Sequence, residues 1–188
     1  MAALTPPLPD LAAIRAAHAR IAAHVHRTPV LTCRSIDAEV GAALFFKCEN
    51  FQKVGAFKAR GATNAVYSLA DDVAPRGVVT HSSGNHGAAL AYAAARRGIP
   101  AWVVMPDNAP TVKQENVRRF GATIRYCAPT VDAREAACAE VERDTGATLI
   151  DIDTALEDCG ILIVLVDHDV SRVVPLAERT GKLVYDTR

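Results

Sequence analysis

The stretch "GVVTHSSGNHGAALAYAAARRGIPAWVVM", residues 77–105, decides the class of fold. It opens on a short β-branched run, Val78-Val79-Thr80, of the kind that forms a strand. A turn follows, holding two hydroxyls, an amide, an imidazole and two glycines. The alanine-rich segment 85–97 then has the composition of a helix, and Gly98 stops it. "AWVVM" (101–105) is a second strand-like run. Strand, helix and strand at this spacing make a βαβ unit, in which the two strands lie parallel.

The rhythm continues on both sides of that unit. Downstream come a helix over 111–120 ended by Gly121, a strand over 123–127, a helix over 131–145 ended by Gly146, and a strand over 148–152. The pattern predicts an α/β fold: a twisted parallel sheet with helices on both faces. Upstream, Asp10 caps a helix running from Leu11 to about Val25, with Leu11, Ile14, Ile21 and Val25 on one face. Pro29 ends that segment. "ALFFKCE" (43–49) reads as a buried strand, and 57–70 as a helix. Beyond residue 152, "ILIVLV" (161–166) and "KLVYD" (182–186) are strand-like, with a helix expected between them. The chain then stops directly after a strand, which a parallel sheet normally covers, so it reads as truncated.

Composition removes several function classes. The chain has 188 residues, half of them hydrophobic and 22% charged, so it is globular. Lys+Arg and Asp+Glu balance at 21 each, and no basic face is visible. Neither nucleic acid nor a membrane surface is expected as a partner. "MAALTPPLPD" lacks the basic and apolar regions of a signal peptide, and the longest apolar run, Ile161 to Val166, is too short to span a bilayer. The five cysteines are odd in number and include no CxxC pair, which suits a reduced, cytoplasmic chain. The six histidines show no metal-ligand spacing, so no metal site is expected.

Two stretches carry chemistry. The turn Ser82–Gly87 lies at the carboxyl end of a predicted strand and opens a helix near Asn85. Ligands of open parallel sheets bind at such ends. The free N–H groups of the helix and the side chains of Ser82, Ser83 and Asn85 favour an anion or a polar oxygen there. An N-cap and tight turn holding no ligand is the other reading. In "FQKVGAFKARGATNA" (51–65), Lys58 opens a helix, where the dipole disfavours a positive charge. A Schiff base to a carbonyl cofactor would consume that charge; a surface lysine beside Arg60 is the alternative.

"HRTPVLTCRSID", "LFFKCENFQK" and "GAFKARGATNAV" are followed, some 25 positions after the start of the last, by "THSSGNHGAALAYAAARRGIPAWVVMPDNAPTVKQENVRRFGATI". Together they resemble the pyridoxal-phosphate enzymes of the serine/threonine dehydratase and serine racemase group, from about residue 11 to about residue 150. The resemblance implies the front half of the tryptophan-synthase-β-like fold. It implies pyridoxal 5'-phosphate as cofactor and L-serine or L-threonine as substrate. Lys58 matches the lysine that forms the internal aldimine and moves protons at the substrate Cα. Phe57 matches the aromatic packed against the pyridine ring, and Asn85 the residue bonded to the ring hydroxyl. Ser82, Ser83, Gly84, Asn85 and His86 match the loop that binds the substrate carboxylate. Ser83 also matches the second acid/base of the racemases.

The chain departs from the group in three ways. Ala56 stands where the group commonly has serine. No glycine run for the cofactor phosphate occurs anywhere in the sequence. The tail, with "ALEDC", "ILIVLVDHD" and "GKLVYDTR", resembles the end of the UDP-binding domain of nucleotide-sugar dehydrogenases such as UDP-N-acetylmannosamine dehydrogenase. The expected organisation is therefore residues 1–76 as part of a large domain, 77–152 as a small α/β domain, and 153–188 as a Rossmann-like βαβ tail, grafted or frame-altered. The functional expectation is an ammonia-lyase or serine racemase; the alternative is a non-catalytic chimeric or truncated fragment. The strand over 43–47 needs a partner surface, and either a homodimer or disorder is the expected consequence.

Overall fold

The computed structural model describes residues 10–150 and, beyond them, the backbone of the strands at 161–164 and 183–186. Contacts divide the chain into two units, Leu11–Asp151 and the remainder. The first unit holds helices α1 (Leu11–Ile21), α2 (Arg34–Val40), α3 (Lys58–Ser68), α4 (Asn85–Arg97), α5 (Thr111–Arg118) and α6 (Val131–Thr145). Its strands are β1 (Val30–Leu31), β2 (Phe46–Lys47), β3 (Val78–His81), β4 (Ala101–Pro106), β5 (Thr123–Cys127) and β6 (Thr148–Leu149).

The βαβ rhythm becomes a four-stranded, all-parallel sheet in the order β5-β4-β3-β6. Strand alternation sends successive side chains to opposite faces. Val78, Val103 and Met105 pack with α3, α4 and α5 residues such as Val66, Leu90 and Val117 on one face. Val79 and Val104 pack with Ala137, Cys138 and Val141 of α6 on the other. Helices thus cover both faces, as parallel strands require. Gly98 and Gly146 end α4 and α6 in the left-handed conformation, at φ 74° and 71°. Thr130 caps α6 by accepting from the Ala133 amide at 3.2 Å.

The N-terminal expectations fare less well. Helix α1 ends at Ile21, and of its predicted apolar face Leu11 and Ile14 stand exposed while Ile21 is buried. The predicted buried strand is only two residues long, and both are exposed. It pairs antiparallel with β1, Val30 opposite Lys47. Nothing in the first unit covers this ribbon, so Val30, Leu31, Phe45 and Phe46 face outward.

In the remaining unit, β7 (Ile161–Val164) and β8 (Leu183–Asp186) pair in parallel, Ile161 opposite Leu183. The helix expected between them lies outside the described residues. No helix among the described residues is long and apolar enough to cross a membrane.

Candidate functional site

The sheet reverses its winding beside β3. Helices α4 and α5 carry the chain outward to β4 and β5 on one face, and α6 returns it along the other face to β6. Loops leaving β3 and β6 therefore diverge, which opens a crevice at their carboxyl ends. The turn Ser82–Gly87 and residue Ile150 both sit at those ends.

The turn is built from the backbone. The Ser82 amide donates to the Val104 carbonyl at 3.1 Å, continuing the sheet by one rung. The Gly84 amide donates to Ser82 Oγ at 3.2 Å. Gly84 precedes α4 in an extended conformation, and no side chain caps the helix, so its first N–H groups keep their donor capacity. Gly87 is set by space: a Cβ there would lie 2.9 Å from the Ser82 carbonyl oxygen and 2.9 Å from Val103 Cγ1. Only glycine lets the first turn of α4 press this closely onto the strand.

Lys58 comes from a separate piece of architecture. Gln52, which is buried, pairs with the His26 backbone: its Oε1 accepts from the His26 amide and its Nε2 donates to the His26 carbonyl, both at 2.8 Å. The chain then turns through Val54, at φ 56°, and Gly55, at φ 70°. A left-handed conformation is costly for a β-branched residue, so Val54 stores strain just ahead of the lysine. Helix α3 starts at Lys58 with no side-chain cap. Arg60, two residues further, forks onto Glu49: Nε donates to Oε2 at 2.8 Å and Nη2 to Oε1 at 2.7 Å. Thr28 Oγ1 donates to the same carboxylate at 2.5 Å. The Arg60 bonds, aided by Thr28, hold the Glu49 carboxyl at about 2. This network fixes the start of α3 against the preceding segment.

The lysine amine lies 5.1 Å from the centre of the Phe57 ring. Partial burial lowers its pKa below the ordinary 10.5, and no ion pair compensates among the described residues. A desolvated, unpaired primary amine is a nucleophile prepared for a carbonyl carbon.

The predicted site residues divide between two cavities. One, of about 260 Å³, is lined by Lys58, Phe57, His86 and Ile150 together with Ala62 and Ala65 of α3. His86 is held there by donating from Nε2 to the Ile150 carbonyl at 3.3 Å. The other, of about 310 Å³, is lined by Gly84, Asn85, Val54 and Gly55, with Lys113 of α5 and Arg119 just beyond its end. Ser82 and Ser83 sit half-buried on the turn and line neither of these two cavities. The structure thus gathers Phe57, Lys58 and His86 around one space and sets Gly84 and Asn85 facing another.

Several residues of this region were not singled out from the sequence. Ile150 becomes a wall only because β6 pairs with β3, a long-range event with no local signal. Lys113 and Arg119 lie inside the stretch that carries the resemblance, but nothing in it marks either as a lining residue. Val54 is invisible as a strained residue because valine does not advertise a left-handed turn. Arg134, in the first turn of α6, has a buried Nε without an acceptor among the described residues.

The donor set fits a carbonyl cofactor at its reactive end: an amine whose pKa burial lowers, an aromatic face beside it, and polar groups on the opposing turn. Residues 21–154 match the family described as pyridoxal-phosphate dependent enzyme. The chain is 56% identical over 141 residues to serine racemase of Oryza sativa subsp. indica, covering 75% of this chain and 42% of that protein. It is 51% identical over 143 residues to β-hydroxyaspartate dehydratase of Paracoccus denitrificans, covering 76% and 45%. The structure superposes on maize serine racemase with a TM-score of 0.75 at 46% identity, covering 84% of this chain and 53% of that one. The chain spans less than half the length of these two curated relatives. The family match ends at residue 154, and the likeness of the tail to nucleotide-sugar dehydrogenases finds no support beyond the sequence itself.

Proposed function

Because the chain belongs to the pyridoxal-phosphate dependent enzyme family, we propose that it serves a lyase or racemase acting on a small hydroxy amino acid such as L-serine or L-threonine. The carrying observation is Lys58: half-buried, unpaired, its pKa lowered by desolvation, and lining one cavity with Phe57 and His86. Names of the relatives, serine racemase and β-hydroxyaspartate dehydratase, support the substrate class.

Lys58 would hold the cofactor covalently, Phe57 would pack beside its ring, and Asn85 would bond its ring oxygen. When bound, pyridoxal phosphate supplies an electron-withdrawing imine that makes the substrate Cα–H acidic. Lys58 Nζ would accept that proton on its side of the Cα. The side chains of Ser82 and His86, with the uncapped N–H groups that open α4, would orient the carboxylate. If Lys58 then gave a proton to the β-hydroxyl, that group would leave as water, and hydrolysis of the resulting enamine by one water would give a 2-oxo acid and ammonia. If Ser83 Oγ returns a proton from the opposite side, the outcome is the other enantiomer.

The test is direct. The purified chain is mixed with pyridoxal phosphate, the visible absorbance band is recorded, and borohydride fixes the adduct for peptide mapping. Label on Lys58, absent in Lys58→Ala, is expected, together with 2-oxo acid release from L-serine or L-threonine. Absence of the band at millimolar cofactor would remove the reading. A non-catalytic role for this chain is the second reading, favoured by the lack of any glycine run for the cofactor phosphate; labelling of Lys58 without turnover would select it.

A further inference from the structure

A cleft of about 520 Å³ lies between the end of α1, the segment after it, and β2. Its polar lining is His18, His26, Arg27, Lys47 and Arg60, and no acidic side chain among the described residues lines it. That imbalance is local, since the chain as a whole carries 21 basic and 21 acidic residues.

Glu49, paired with Arg60 at 2.7 Å, offsets that one charge of the cleft and leaves Arg27 and Lys47 without an ion pair among the described residues. Glu49 already accepts two hydrogen bonds from Arg60 and one from Thr28. The cations, in contrast, keep donors to spare. Lys47 spends one N–H on the Thr28 carbonyl, at 2.7 Å, and has two left. Arg60 Nη2 is shared among Glu49, the His26 carbonyl and Thr28 Oγ1, while its Nη1 makes no hydrogen bond among the described residues. Arg27 makes no side-chain hydrogen bond or ion pair among the described residues. His26 uses Nδ1 on the Phe51 carbonyl, at 3.0 Å, which leaves Nε2 available.

We infer that this cleft binds a small oligophosphate anion, held between Arg27, Lys47 and the outer edge of Arg60. Planar guanidinium groups match phosphate oxygens in pairs, and an ammonium adds a compact charge. The volume lies in the range of small-molecule sites. The site is separate from the lysine cavity. Lys58 and Arg60 stand two apart on α3 and so point in different directions, and no residue lines both spaces. An anion here would tie the segment 22–28 to β2 and the first turn of α3.

Inorganic pyrophosphate titrated into the full chain, followed by amide NMR shifts at low salt, tests this. Saturable shifts at Arg27, His26 and Lys47 are expected, with affinity falling as salt rises. Arg27→Ala, an exposed change, should weaken binding about tenfold or more, and Arg143→Ala on α6 should leave it unaltered. The inference is overturned by the absence of saturable shifts, by shifts confined to the surroundings of Asn85 and Lys113, or by equal affinity in Arg27→Ala.

Discussion

Glu49 shows how one side chain can hold a site in place from outside it. Its folded pKa of about 2 lies below the ordinary 4.5, through the Arg60 bonds first and the Thr28 hydroxyl after burial is offset. A depressed carboxyl contributes stability that is complete above the unfolded value and is lost as pH falls through the folded one. Unfolding free energy should therefore decline between about pH 4.5 and pH 2. Glu49→Gln should remove about 2–3 kcal/mol of that dependence, allowing for partial exposure of the pair. Urea denaturation at stepped pH measures it; an unchanged acid limb in Glu49→Gln would contradict the assignment. Nothing in the sequence announces this pair, because its members lie 11 residues apart on different elements. Lys58 was legible for the opposite reason. A cation opening a helix conflicts with the dipole, and such a conflict can be seen without coordinates.

Helix α4 shows what an element's sequence can and cannot say. Its limits, 85 and 97, follow from the glycine stop and the alanine run, and α6 follows equally well from Thr130 and Gly146. Short elements without periodicity escaped: α2 was not anticipated, and β2 proved an exposed half of a ribbon. Two or three residues cannot display a period, and burial depends on neighbours far away in the chain. Within α4, Gly87 looks from sequence like a weak point in a helix, costing stability relative to alanine. The contacts reverse that expectation. Gly87→Ala must displace Ser82 or Val103, so it should destabilise by about 1–3 kcal/mol, the usual cost of overpacking. It should also shift the amide resonances of Ser82 to Asn85. A neutral or stabilising Gly87→Ala by urea denaturation would show that the helix start has more freedom than its packing indicates.

Across the whole molecule, the sequence revealed the kinds of strand and their parallel sense, but not their order. The rhythm of strand and helix is local, whereas placing β6 beside β3 joins Val78 to Thr148. That single pairing also explains why the cavity around Lys58 was only half legible. Its α3 wall and His86 belong to motifs, while Ile150 arrives from the far end of the unit. Among the described residues β6 is held on one side only, by two paired residues and by amide bonds from Thr148 to Gly77 and from Ile150 to Val79, at 3.0 and 2.8 Å. This outer position gives the cavity a history in time. Contacts between distant parts of a chain form late because their loop entropy must be met first, and the least supported edge opens earliest. The wall opposite Lys58 should thus be the last part of the sheet to close during folding and the first to breathe in the native state. Hydrogen exchange should find the amides of Thr148 and Ile150 released at lower cost than those of Val103 and Val104. Equal protection would mean that the cavity is as permanent as the sheet that bears it; the expected gap would make the cavity intermittent, with Lys58 reached by water, cofactor or substrate each time the edge strand lets go.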